Sequence, residues 1–258
     1  MDLGLKGRKA IVCASSRGLG RGCAEALARE GVDLTINGRN EATTDQTAEQ
    51  LRAHGVNVQV VLGDVSLKAT QDALLDACPE PDILVNNNGG PPLRDFRELD
   101  RQALLEGVTQ NMVTPIEMIQ RTVDGMAERG FGRIVNITSL SVYQPILGLD
   151  LSSGARAGLT AFLAGIARSV AARNVTINNL LPGKFDTDRI RQTIAFAAEK
   201  NGVSAEEEAT RQEQLIPAGR LGSPHEFGAT CAFLCSAHAG YMTGRNILLD
   251  GGVYSSAF

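Results

Sequence analysis

Short apolar runs bounded by turn residues alternate along this chain with longer stretches in which apolar positions recur at helical spacing. The first run, 9–13, reads Lys-Ala-Ile-Val-Cys, and the stretch after it, 20–30, carries its apolar residues on one helical face. Further strand candidates lie at 33–37, 57–62, 83–86, 133–138, 176–181 and 246–249. Strands that are apolar throughout are covered on both faces, and strands separated by helices pair in parallel. The pattern therefore predicts an α/β fold: a doubly wound, Rossmann-type parallel sheet of about seven strands with helices on both faces. No linker or fixed-period repeat divides residues 1–258, so a single domain is expected. The alternation fails at 185–219, a polar segment of helical pattern that holds Glu206-Glu207-Glu208 and no strand. Placed after a strand's carboxyl end, it is expected to form a helical lid over a ligand crevice, although a plain solvated helix pair accounts for its charges equally well.

Composition narrows the class. The chain has 258 residues, long enough to bury a core without metal or disulfide staples, and 43% of them are hydrophobic against 21% charged, the balance of a globule rather than of a disordered chain. With 25 basic and 29 acidic side chains the formal charge is −4, so no cationic field recruits a nucleic acid. Cys13, Cys23, Cys78, Cys231 and Cys235 form no paired framework, and the opening residues lack a secretory apolar core, which makes a reducing cytoplasm the expected setting. No run approaches the roughly 20 apolar residues that span a bilayer, so no membrane partner is expected. Cys231, Cys235 and His238 can share a helical face, but buried thiols on a core helix explain them more simply, and no metal site is expected.

After the first strand candidate, Cys13-Ala14-Ser15-Ser16-Arg17-Gly18-Leu19-Gly20 leads straight into a helix. Glycines let the backbone approach a pyrophosphate, and a helix amino terminus presents free N–H groups and partial positive charge. Ser15, Ser16, Arg17, Gly18, Leu19 and Gly20 are the candidate contacts. An ordinary strand-to-helix turn has the same glycines, so the strand context on both sides carries the reading. The second strand candidate ends in Asn37-Gly38-Arg39, with no carboxylate to hold the ribose hydroxyls of NAD. Arg39, with Arg17 as a second cation, can pair with a 2′-phosphate, which points to NADP(H).

Four more segments complete a pattern: Gly63-Asp64-Val65; Asn86-Asn87-Asn88-Gly89; Pro182-Gly183 with Thr187; and Asp250-Gly251-Gly252. Together they resemble the short-chain dehydrogenase/reductase family almost end to end, in a form similar to its 3-oxoacyl-acyl-carrier-protein reductases. The resemblance implies that Asp64 and Val65 contact adenine, that Asn87 and Gly89 border the cofactor, and that Pro182, Gly183 and Thr187 cover the nicotinamide. Two elements depart from the family: Ala14 stands where it has glycine, and Asn88 where it has alanine. If position 14 needs a positive φ, alanine costs on the order of 1 kcal/mol there.

The resemblance also implies a reacting centre of Asn, Ser, Tyr and Lys. Asn111 and Ser139 match the first two. The Tyr position, thirteen residues past Ser139, falls on Ser152, and the Lys position on Arg156, with Ala157-Gly158-Leu159 fixing the register. A phenol of pKa about 10 can give and retake a carbonyl's proton near neutrality, whereas a serine hydroxyl is a far weaker acid. Arg156 stays cationic and is expected to hold ribose, but its planar fork does not copy a lysine point charge. Tyr143, the nearest phenol in sequence, is a candidate donor whose ordinary role is to pack against Pro145; Ser139, Lys184 and a water relay are the others. The expected function is NADP(H)-dependent reduction of a small-molecule carbonyl, 3-oxoacyl-like or another small ketone, with a non-standard proton donor. The alternative is a noncatalytic NADP-binding sensor or partner subunit. A homo-oligomer, tetramer or dimer, is implied through long helices at 99–129 and 152–173.

Overall fold

The computed structural model describes residues 1–91 and 93–256. Along its first half the chain runs β1 (Lys9–Val12), α1 (Gly18–Arg29), β2 (Asp33–Gly38), α2 (Glu41–Arg52), β3 (Val58–Leu62), α3 (Lys68–Ala77), β4 (Ile83–Asn86), α4 (Arg101–Val108), α5 (Thr114–Gln120) and α6 (Val123–Glu128). It continues through β5 (Gly132–Ile137), α7 (Asp150–Val170), β6 (Val175–Pro182), α8 (Asp188–Asn201), α9 (Ala205–Gln214), α10 (Pro224–Cys235) and β7 (Asn246–Leu249). The strands form one seven-stranded sheet in the order β3-β2-β1-β4-β5-β6-β7, and every pairing is parallel. All the strand candidates are present, shifted by a residue at some ends.

Alternate residues of β1 feed two cores. Ala10 and Val12 pack with α1, α2 and α10 on one face, while Ile11 packs with α3, α5, α6 and α7 on the other. Helices α1 and α10 approach closely because glycines meet between them: a Cβ on Gly228 would run into the carbonyl of Gly22. Cys23, Cys231 and Cys235 are buried there. His238 is separate from the two helix cysteines in its bonding, with its exposed ring against the carbonyl of Asp2. Among the described residues no helix is long and apolar enough to cross a membrane.

The strand order reverses between β1 and β4, which opens a crevice at the carboxyl ends of those strands. The expected long helix at 99–129 is a correction. It is broken into α4, a π-turn at Thr109–Val113, α5 and, after Arg121 and Thr122, α6. The π-turn carries Asn111, and such turns re-aim single side chains.

Candidate active site

The glycine-rich turn is built around Ala14, whose φ is +44°. This left-handed residue swings the chain from β1 towards α1, and its N–H donates to Asn37 Oδ1 at 3.2 Å. Asn37, fully buried, also donates from Nδ2 to the carbonyls of Val61 and Gly63, so one amide ties together the ends of β1, β2 and β3. Ser15 corrects the sequence reading: its buried hydroxyl donates to Val12 O at 2.7 Å and accepts from Asn37 N–H, leaving no side-chain contact for a phosphate. Ser16 is half-buried, and its carbonyl accepts from Thr47 Oγ1.

Helix α1 starts at Gly18, two residues earlier than expected, with Arg17 extended at its cap and making no side-chain cap bond. Its first-turn N–H groups are therefore free to meet an anion. A Cβ on Gly20 would come within 2.5 Å of Ala14 O and 2.7 Å of Asn87 Nδ2, so this glycine keeps the cradle open. Asn87 closes the same turn from β4, donating to Ala14 O at 2.9 Å. Leu19 packs on the core beneath. The cradle fits a pyrophosphate.

At the ends of β2 and β3, Arg39 is exposed and leans towards Asp64, Nη1 to Oδ2 at 4.0 Å. Asp64 is held by the N–H and hydroxyl of Ser66, and Val65 is buried in the core. Arg17 is exposed, at the start of α1. Both arginines thus stand near the carboxyl ends of β1 and β2, exposed to solvent.

Ser152 and Arg156 lie one turn apart near the start of α7, with 5% and 8% of their surfaces exposed. Arg156 Nε donates to Ser152 Oγ at 3.1 Å and Nη1 donates to Ile137 O at 2.6 Å. Burial, followed by the charge of Arg189, lowers the guanidinium pKa to about 10. Arg156 lines a cavity of about 20 Å³ with Asn86, Asn88, Asn111, Thr114 and Asn136, room for a water molecule. Asn111 donates to Gly107 O, while its Oδ1 and the hydroxyl of Thr114 have no partner among the described residues. Ser139, half-buried beyond β5, accepts from Ser141 N–H at 3.1 Å. Tyr143 stacks on Tyr254, ring centroids 5.4 Å apart.

The far wall comes from the end of β6. Pro182 closes the strand, and Gly183 passes so close to Asp250 that a Cβ would sit 2.7 Å from its Cα. Thr187 faces the phosphate turn, its Cγ2 3.7 Å from a Cβ position on Gly18. Helices α8 and α9 follow, in the segment read as a lid. Lys184 bonds Gln212, which donates to the buried Glu208, and Asn201 donates to the same carboxylate. These bonds hold the Glu208 pKa below the usual carboxylate range, and burial lowers that of Lys184. Lys184 is thus committed to α9 instead of serving as a proton donor. Gly89 borders the opening with free space where a Cβ would stand, and Asn88 donates to Gln110 O. Sequence reasoning missed Asn37 as an organiser and Arg189 altogether; the polar strand end and the cation two residues past Thr187 were their only signals.

Comparison with known proteins agrees with this geometry. A family model described as Enoyl-(Acyl carrier protein) reductase matches residues 13–254. The 3-oxoacyl-(acyl-carrier-protein) reductase FabG of Aquifex aeolicus is 31% identical over 260 residues, 98% of this chain and 100% of that one. The acetoacetyl-CoA reductase of Cupriavidus necator is 32% identical over 258 residues, 96% of this chain and 98% of that one. The crystal structure of L-sorbose reductase from Gluconobacter frateurii, complexed with NADPH and L-sorbose, superposes with a TM-score of 0.94 at 27% identity, covering 99% of this chain and all of that one.

Proposed function

Because the chain belongs to the short-chain dehydrogenase/reductase family, we propose that it reduces a carbonyl compound at the expense of NADPH, with Ser152 and Arg156 standing in for the usual Tyr and Lys. Arg39 and Arg17 hold the 2′-phosphate; Gly18 and Gly20 admit the pyrophosphate to the head of α1; Thr187 and Gly183 border the nicotinamide, and Asp64, Val65, Asn87, Gly89 and Pro182 complete the wall. When bound, NADPH supplies the hydride. The chain's own work is to hold the carbonyl and to supply a proton to its oxygen.

The observation that carries this reading is the bond from Arg156 Nε to Ser152 Oγ. Because the guanidinium donates to that oxygen, the hydroxyl's own proton is directed elsewhere and is available to a carbonyl oxygen. A cation at 3.1 Å also favours the alkoxide that remains once the proton leaves. Ser139 offers a second hydroxyl to the same oxygen, and Asn111 and Thr114 present unpaired acceptors to a water that can return the proton. Tyr143, stacked on Tyr254, borders the entrance. The substrate is a small ketone of 3-oxoacyl or similar type, α8 and α9 act as the lid, and the protein assembles as a homo-oligomer through α4 and α7.

Steady-state NADPH oxidation with a panel of 3-oxoacyl, sugar and quinone carbonyls tests the reading. Ser152→Ala is expected to lower kcat by roughly 100-fold or more, the usual range for a lost general acid, with NADPH affinity unchanged. NADPH binding without turnover on any carbonyl, together with activity created by the double change Ser152→Tyr and Arg156→Lys, would assign the protein to a noncatalytic NADP-binding role.

A further inference from the structure

Two arginines face the reaction centre, and among the described residues no carboxylate answers either. Arg189 follows Asp186 and Asp188 directly in sequence, yet both acids are taken by Arg191, at 2.9 and 3.5 Å. Arg189 instead reaches across the crevice: Nη2 donates to Pro91 O at 3.1 Å, and the group lies so low over Gly90 that a Cβ there would come within 2.5 Å of Nη1. A carbonyl satisfies one N–H and leaves the guanidinium's charge in place.

Arg156 lies below. Its Nε and Nη1 are spent on Ser152 and Ile137, and Nη2 has no partner among the described residues. Arg133, buried at the opposite end of β5, is the contrast: its Nε, Nη1 and Nη2 all bond oxygens of Ser236, Gly132 and Asn174, so it is complete as it stands. Arg156 lines its cavity together with Asn88, and Arg189 lies on Gly90 and Pro91, the next residues but one of the same loop, so both cations border the loop that follows β4. Two guanidiniums at one loop, one exposed and one buried and neither answered by an acid among the described residues, make a place for an anion of carboxylate geometry.

We infer that the carbonyl compound reduced by this protein carries a carboxylate, gripped by Arg189 at the entrance and by the open edge of Arg156 beneath it. This rests on the reductase reading above and adds the substrate class. The cofactor's pyrophosphate is the other anion in reach, but its cradle is at Gly18 and Gly20, where the α8 side contributes Thr187. Arg189 stands two residues further on, in the first turn of α8, and is turned to Gly90 and Pro91.

Calorimetric titration of the NADP⁺-loaded protein with pyruvate, acetoacetate and levulinate, each against its methyl ester, tests the inference with or without turnover. At least one acid is expected to bind about 10- to 100-fold more tightly than its ester, as charge-assisted hydrogen bonds allow. Arg189→Gln is expected to bring that pair within about twofold while leaving the NADP⁺ affinity and Tm of the parent. Equal binding of acid and ester across all three pairs, or no binding of any, overturns the inference. So does an Arg189→Gln variant that loses NADP⁺ affinity and keeps the preference for the acid, which would assign Arg189 to the cofactor's phosphates. Acid preference in a protein that never consumes NADPH would count against the reductase reading alone.

Discussion

Ala14, at φ +44°, occupies a conformation that costs an L-residue roughly 1–2 kcal/mol. Glycine at this position loses about 0.4–1 kcal/mol more in unfolded-chain freedom. Ala14→Gly is therefore expected to stabilise the protein by about 0.5–1 kcal/mol net, read as a higher urea midpoint at constant slope. A midpoint that stays or falls would show the turn to be unstrained. Ala14 was legible in the sequence as a departure from a family pattern. The inward turn of Ser15 was not, because its hydroxyl is claimed by Val12 O and by the N–H of Asn37, 22 residues away. Arg189 was hidden for a similar reason: an arginine directly after two acids reads as a solvated ion pair until the turn of α8 gives both acids to Arg191.

Below the crevice, a row of asparagines crosses the sheet. Asn86 Nδ2 donates to Asn136 Oδ1 at 2.9 Å, Asn136 to Asn179 at 3.1 Å, and Asn179 to Asn246 at 2.8 Å, in register across β4, β5, β6 and β7. The two inner amides, Asn136 and Asn179, each take one bond of the row and give one, so the row fixes strand register directly beneath the candidate site. Asn136→Ala leaves Asn179 Oδ1 without its donor and Asn86 Nδ2 without its better acceptor. A loss of about 2–4 kcal/mol is expected by denaturant titration; a loss under about 1 kcal/mol would mean that the row contributes little. The strands were readable as apolar runs, but this row was not, since its members are far apart in sequence and only the pairing register lines them up. The helix expected at 99–129 likewise looked continuous because its apolar spacing runs through the π-turn at Thr109–Val113, where one backbone register slips.

Apolar side chains remain uncovered on one flank: Leu104 and Leu105 on α4 and Phe162 on α7 are 43%, 52% and 46% exposed. A second copy of the chain is the proposed cover. Light scattering is expected to find a dimer or tetramer, with Phe162→Asp shifting it to smaller species; a monomeric parent would refute the assembly. The alternation of apolar runs and helical stretches settled the sheet, its parallel strands and the place of the crevice, because burial on two faces leaves a pattern in consecutive residues. The glycine turn and Arg39 likewise mark the proposed nucleotide position in local sequence alone. What consecutive residues cannot carry is the meeting of distant groups. The bond between Arg156 and Ile137 O, the reach of Arg189 to Pro91 and the amide row each depend on elements brought together by packing, and the chemistry of the site is made of those meetings.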